Sequence, residues 1–317
     1  MIEIFITGAS GFIGKSLIPL LNDEGLHLYL LTRDIRKKEL CGFTNKNIEW
    51  VVGNLNDAES YERYVLKSSV IINLAGEINH LDNLHKTNVD GVQTLIDVVK
   101  KSADKRIIHV SSVGVAGVQY SDRQKIVDEC TACFPQNEYE QTKYAAEQIL
   151  LRQIPAKRLI ILRPTNVFGE NHPKNHLLNL FSQLTKQKMI ICSKEARVNY
   201  VYVKDVASII KQMLLSNSCY GIYNVGTAIA MSEFLHDIIE LRHSTCKVVL
   251  INKYMFNLTI LLKPFLSKTT WLKLKTLNNQ VVYSDRKLLE DFPYPIDLQI
   301  GLRKTIDFYV QKGLLNE

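Results

Sequence analysis

The first fourteen residues constrain this chain most. Ile2–Thr7 is an apolar run of β-branched and aromatic side chains. Three glycines follow at three-residue steps, Gly8, Gly11 and Gly14, as a periodic apolar segment begins at Phe12 and runs to Asn22. A strand that bends at once into a helix needs a residue without a Cβ at the turn. The same bend aims backbone N–H groups and the positive end of the helix at whatever lies above it, an arrangement that holds a pyrophosphate. Isolated glycines say little, but glycines between a strand and a helix mark a dinucleotide-binding turn.

The remainder of the first half repeats the alternation. Apolar runs at Ile2–Thr7, Leu26–Thr32, Ile48–Gly53, Val70–Leu74, Ile107–Ser111 and Leu159–Arg163 read as strands, and Phe12–Asn22, His85–Lys101 and Tyr139–Gln153 read as amphipathic helices. Strands alternating with helices predict an α/β fold, a doubly wound parallel sheet of the Rossmann kind. Residues 1–169 would form the dinucleotide-binding domain, with Tyr200–Val203 and Tyr220–Val225 returning to the edge of its sheet. A smaller C-terminal substrate lobe would hold 170–199 and 226–317, with a strand at Lys247–Ile251 and a closing helix at Leu298–Gln311. A chain of 317 residues with 46% hydrophobic content can bury the core that this architecture requires.

Several further motifs appear in a fixed order: Gly53-Asn54-Leu55, Asn73-Leu74-Ala75-Gly76, Asn88-Val-Asp-Gly91, Tyr139-Glu-Gln-Thr-Lys143, Arg163-Pro164-Thr-Asn166-Val-Phe-Gly169 and Tyr202-Val-Lys-Asp205. Together with the glycine turn they resemble the extended short-chain dehydrogenases/reductases, the NAD-dependent epimerase/dehydratase family, over nearly the whole chain. The resemblance implies a nicotinamide dinucleotide held by Gly8, Gly11, Phe12, Ile13, Gly14, Asn54, Leu55, Leu74, Ala75, Gly76, Lys143 and Pro164. It also implies a catalytic set of Ser112, Tyr139 and Lys143, with Ser111 as the alternative hydroxyl, and a substrate or nicotinamide contact at Asn166.

The residue types fit that chemistry. Tyr139 and Lys143 are four apart and share one face of a helix. An ammonium and an oxidised nicotinamide beside a phenol favour the phenolate and draw its pKa toward working pH, so the tyrosine can pass a proton to or from a substrate oxygen. The end of the second strand decides the cofactor, because an acid there holds a ribose 2′-OH and an arginine a 2′-phosphate. Arg33 stands at that place, followed by Arg36 and Lys37, which favours NADP(H). Asp34, one residue on, is the group that would hold NAD instead.

Departures from the family narrow the reaction. Dehydratases of the family carry an Asp-Glu pair after the catalytic hydroxyl, and here Val113 and Gly114 stand there, which argues against dehydration. Ala116 replaces a usual tyrosine. The arginine that grips a substrate diphosphate falls at Val198, leaving the adjacent Arg197 for that role. The leading expectation is reduction of a keto group on a nucleotide-linked sugar, as used in surface polysaccharide synthesis. The alternatives are a 4-epimerase with bound NAD, a reductase of steroid-like or flavonol-like carbonyls, and a non-catalytic dinucleotide-binding module.

Charge and composition bound the partners. A formal charge of +7 favours anionic small molecules without indicating nucleic acid. The N-terminus lacks a basic flank and cleavage site, so a cytoplasmic location is expected. Tyr254–Leu266 is apolar but too short to span a bilayer, and reads as a core helix of the second lobe in preference to a segment lying on a membrane. The eight histidines lack metal-ligand spacing, and Cys130-Thr-Ala-Cys133 has no second pair, so no metal is expected. The resemblance further implies a homodimer formed through the helices at 85–101 and 139–153.

Overall fold

The computed structural model describes residues 1–22, 25–43, 45–78, 80–102, 104–173, 177–216, 218–258, 267–292 and 297–316. The strands are β1 Ile2–Thr7, β2 Leu26–Thr32, β3 Ile48–Val52, β4 Val70–Asn73, β5 Arg106–Val110, β6 Lys125–Val127, β7 Leu159–Pro164, β8 Asn166–Phe168, β9 Met189–Ser193, β10 Arg197–Tyr202, β11 Gly221–Val225, β12 Thr227–Ala230, β13 Lys247–Ile251 and β14 Val281–Tyr283. Seven of them form one parallel sheet in the order β11-β7-β5-β4-β1-β2-β3. The chain winds outward from β1 to β3, then returns to β4 on the other side of β1. That reversal opens a crevice above the carboxyl ends of β1 and β4, where folds of this kind bind ligands.

Side chains along each strand alternate between the two helical layers. From β1, Ile4 and Ile6 join the layer built on the helices Phe12–Leu20 and Val203–Leu215, while Phe5 joins the layer of Gly91–Val99 and Glu138–Gln153. From β7, Ile160 and Leu162 go one way, and Leu159 and Ile161 the other. Burial on both faces explains why these strands read as unbroken apolar runs.

The helix expected over His85–Lys101 is made of three joined pieces, Leu81–His85, a π-helical turn at Lys86–Asp90, and Gly91–Val99. The widened turn carries Asn88, a site residue described below, which accords with the tendency of π-bulges to mark functional positions.

A third cluster builds the C-terminal lobe around Phe168, Phe181, Phe234, Leu235, Leu302 and Tyr309. The strand expected at Lys247–Ile251 and the helix expected at Leu298–Gln311 lie in it. One expectation is corrected. Of the two runs expected at the edge of the main sheet, Gly221–Val225 lies there beside β7, but the run at Tyr200–Val203 does not. β10 pairs in parallel with β8 and antiparallel with β12 in a separate three-stranded sheet, and a helix begins at Val203. The reason is aromatic packing: Tyr200 stacks on Phe234 with centroids 4.8 Å apart and meets the edge of Phe168 at 6.0 Å, both of them members of this third cluster.

The segment Tyr254–Leu266 also differs from expectation where it is described. Lys253–Asn257 is a short helix with Phe256 buried but Tyr254 and Met255 exposed, and 259–266 lie outside the described residues. Among the described residues no helix is long and apolar enough to cross a membrane. All six cysteines are unpaired thiols.

Candidate active site

Two connected hollows follow the carboxyl ends of the parallel strands. The first, about 210 Å³, runs over the β1 turn to the ends of β2 and β3 and is lined by Gly8, Gly11, Arg33, Lys37, Asn54 and Leu55 among others. The second, about 710 Å³, continues over Phe12, Ile13 and Gly14 to Ser111, Ser112, Tyr139, Lys143, Pro164 and Asn166. Leu74 and Gly76 border both, and Ala75 the first.

The glycine turn is shaped by close approach. Gly8 has φ +70°, and a Cβ there would meet the Leu74 carbonyl carbon and Ala75 nitrogen at 2.7 Å. A Cβ on Gly14 would sit 2.3 Å from the Ala9 carbonyl oxygen, so any side chain would push the helix off the turn. The Gly11 N–H donates to the Gly8 carbonyl at 2.9 Å. This cradle fits a pyrophosphate at the start of the Phe12–Leu20 helix, and a dinucleotide held as the resemblance implies would put its adenosine toward Asn54 and its nicotinamide toward Tyr139.

At the adenosine end the two candidate ribose residues separate. Asp34 accepts from the Arg36 backbone N–H at 3.1 Å and from its guanidinium at 2.9 Å twice, and this partner holds its carboxyl below the usual range. Arg33 and Lys37 line the hollow; Asp34 is not among its lining residues.

At the other end, Asn137 caps the helix Glu138–Gln153 by accepting from the Glu140 N–H, which sets Tyr139 and Lys143 over the ends of β5 and β7. The Tyr139 phenol shares a hydrogen bond with the Ser112 hydroxyl. Ser112 in turn caps the turn Val113–Ala116 by accepting from Gly114 N–H at 3.1 Å. Ser112 is therefore the hydroxyl paired with Tyr139; Ser111 is buried beside it, its Oγ without a partner among the described residues.

Lys143 is buried and donates a 2.6 Å hydrogen bond to the Val110 carbonyl; burial lowers its pKa to about 8, with Glu147 opposing. The expected lowering of Tyr139 by Lys143 is not found. Burial raises the phenol's pKa and outweighs the Ser112 hydrogen bond, with the Glu140 charge adding to the rise; the Lys143 ammonium is directed at the Val110 carbonyl of β5.

Four further residues, Thr7, Asn73, His109 and Asn88, support the site; Asn73 and Asn88 open motifs quoted above, but the hydrogen bonds they make are set by the fold. Thr7 Oγ1 donates to Asn73 Oδ1 at 2.5 Å and accepts from the Ala75 N–H at 3.2 Å, while Asn73 lies 3.0 Å from His109 Nδ1. This buried chain fixes the ends of β1, β4 and β5 relative to one another. Burial first, and Lys143 second, depress the His109 pKa well below its ordinary value, so the ring is neutral. Asn88 accepts from the Glu77 N–H at 2.8 Å and donates to the Glu77 carbonyl and the Thr142 hydroxyl, both at 3.0 Å. Asn171, His172 and Pro173 also line the larger hollow.

All sequence-expected site residues line these hollows except Arg197. Its backbone N–H donates to the Asn279 carbonyl at 2.6 Å and its guanidinium turns back to the Ala196 carbonyl at 3.3 Å. Asn166 borders the hollow, but its amide donates to the Asn199 carbonyl at 3.0 Å. Among the described residues no cluster of His, Cys, Asp and Glu could hold a metal ion.

A doubly wound parallel sheet with a glycine cradle at its switch point and a tyrosine–lysine pair beside it defines a nicotinamide-dinucleotide enzyme of the short-chain type. The profile of the NAD dependent epimerase/dehydratase family matches residues 4–226, and the chain belongs to that family. It is 26% identical over 248 residues to a low-salt glycan biosynthesis protein of Haloferax volcanii, covering 73% of this chain and 79% of that one. It is also 26% identical over 246 residues to N-acetyl-alpha-D-glucosaminyl-diphospho-ditrans,octacis-undecaprenol 4-epimerase of Escherichia coli O157:H7, covering 70% and 66%. A trifunctional dehydratase/epimerase/reductase of Arabidopsis thaliana is 25% identical, and 98% of this chain spans 47% of it. Among solved structures, Bordetella bronchiseptica WbmG in complex with NAD and UDP superposes with a TM-score of 0.73 at 17% identity, over 99% of this chain and 96% of that one.

Proposed function

We propose that this enzyme uses NADPH to reduce a keto group on a nucleotide-linked sugar. The observation that carries the reading is at the adenosine end: Arg33 and Lys37 line the hollow while Asp34 is held by Arg36, so the groups available to a ribose 2′ substituent are cationic. A 2′-phosphate complements them, and a dinucleotide that exchanges at each turnover suits net reduction.

The state of Tyr139 supports the same direction. Burial keeps its phenol protonated, the form that gives a proton to a carbonyl oxygen. When bound in the glycine cradle, NADPH would supply the hydride. Tyr139 passes its proton to the substrate oxygen, Ser112 holds that oxygen through a hydrogen bond, and Lys143 would hold the nicotinamide ribose. Val113 and Gly114 offer no acid or base beyond these, which disfavours elimination.

Relatives named for glycan synthesis and for 4-epimerisation of a lipid-diphosphate-linked sugar support a sugar substrate and also supply the second reading, a 4-epimerase with retained NAD. Melting the protein with NAD or NADP, then following NADPH absorbance over a panel of nucleotide sugars with and without a 4-keto group, separates the two. The proposal expects a larger shift with NADP and NADPH consumption only with keto substrates. A larger shift with NAD, or co-purified NAD and interconversion of 4-hydroxyl epimers without net NADPH use, would replace it with the second reading.

A further inference from the structure

The whole surplus of positive charge lies in one stretch of chain. Between Glu240 and Asp285 there are seven Lys and Arg residues and no Asp or Glu, while the rest of the chain carries 32 of each sign. Within that stretch the short helix Lys253–Asn257 turns Phe256 inward, yet leaves Tyr254, Met255 and Leu258 exposed at 70%, 60% and 65%. The Lys253 ammonium lies 5.3 Å over the Tyr254 ring. On the helix Lys268–Thr276, Leu272 is 52% exposed beside Lys273.

Three large apolar side chains displayed within little more than one helical turn form a patch whose cover is not water. Two properties identify that cover. The apolar side chains include a tyrosine, a residue favoured at the lipid–water boundary, and the chain from 241 to 284 carries charge of a single sign, with Glu195 beside Lys253 as an acid that meets it from outside that stretch. Anionic lipid complements both: each basic residue near such a surface contributes attraction, while the apolar groups enter between the headgroups. A second copy of this chain fits less well, because a symmetric contact through the patch would set two wholly basic segments against each other. We propose that this face docks the protein on an anionic lipid bilayer, lying on its surface without crossing it.

The face is connected to the cleft. Asn278 donates to the Asn257 side-chain oxygen at 2.8 Å, and the Lys275 ammonium stands 5.0 Å over the ring of Tyr120. Tyr120 belongs to the loop that leaves the turn capped by Ser112. Docking therefore anchors the protein through the lobe that also reaches the active-site turn.

The test is co-sedimentation of the full chain with vesicles of phosphatidylcholine alone, or of phosphatidylcholine with one third phosphatidylglycerol. The protein should pellet with the mixed vesicles at low salt and not with the neutral ones, with binding weakening as salt is raised. The variant Tyr254→Ser/Met255→Ser/Leu258→Ser should partition at least tenfold less, and Lys253→Glu/Lys273→Glu should lose binding to a similar degree. Both should melt like the parent and bind NADP(H) equally, since none of these residues lines the cleft. The inference is overturned if the parent pellets with neither vesicle or if both variants bind the mixed vesicles as the parent does. It is also overturned if lipid-free sedimentation shows a dimer that the triple serine variant dissociates.

Discussion

Glu147 accepts both forks of the Arg163 guanidinium, at 3.0 and 2.6 Å, with both side chains out of solvent. The pair joins the helix that carries Tyr139 and Lys143 to β7, one turn beyond Lys143. Breaking it by Glu147→Gln leaves a buried guanidinium without its counter-charge, which costs about 3–5 kcal/mol. Chemical denaturation of the variant should show that loss, and Glu147→Gln with Arg163→Met should restore part of it.

Tyr139→Phe removes the proton donor while leaving the ring in place. Turnover should fall by about 10²- to 10⁴-fold, with the affinity for NADP(H) unchanged. Steady-state kinetics and cofactor titration check the two halves separately; unchanged turnover would remove Tyr139 from the reaction.

Arg33→Ala should weaken NADP(H) by about 10- to 100-fold, the worth of a charge-assisted hydrogen bond to phosphate, and leave NAD(H) nearly unaffected. Asp34→Ala should change neither by much in direct contact, because its carboxylate is turned to Arg36. Calorimetric titration of each variant with both dinucleotides measures this; an NAD-specific loss in Asp34→Ala would reverse the assignment.

Lys143 makes stability depend on pH in a defined direction. Its folded pKa of about 8 lies below the ordinary 10.5, so between these values the unfolded chain binds more protons. Stability therefore rises with pH across that window, by about 3 kcal/mol in all, and the full cost of the buried charge is present below pH 8. Lys143→Met should lack the rise when urea unfolding is compared at both ends of the window. Tyr61, Tyr202 and Tyr223, whose phenols burial pushes up, act in the opposite sense above pH 10 in both proteins and cancel in the comparison.

Gly14→Ala places a methyl group 2.3 Å from the Ala9 carbonyl oxygen, against backbone that has no rotamer to yield. The variant should melt lower and lose dinucleotide binding together; differential scanning fluorimetry with and without NADP reads both.

What the sequence made legible is what it encodes locally. The turn at Gly8–Gly14, the spacing of Tyr139 and Lys143, and Ser112 at the end of β5 each lie within a short window, and periodicity places them on known elements. The Thr7–Asn73–His109 chain was not legible, because its members lie 66 and 36 residues apart and each looks like an ordinary strand residue. The same holds for β10: alternating Tyr and Val residues specify a buried strand, but not which sheet receives it, and Phe168 and Phe234 decide that from a distance. Arg197 was chosen by its position in a motif, while the direction of its side chain depends on the neighbouring Ala196 carbonyl. Helical spacing likewise gives the proximity of Lys143 to Tyr139 but not the Val110 carbonyl, 2.6 Å away, that receives its ammonium.

Asn88 holds Glu77 by two hydrogen bonds and Thr142 by a third. The backbone after β4 and the helix bearing Tyr139 and Lys143 are thus tied together through one side-chain amide, so a change at Asn88 reaches both walls of the cleft at once.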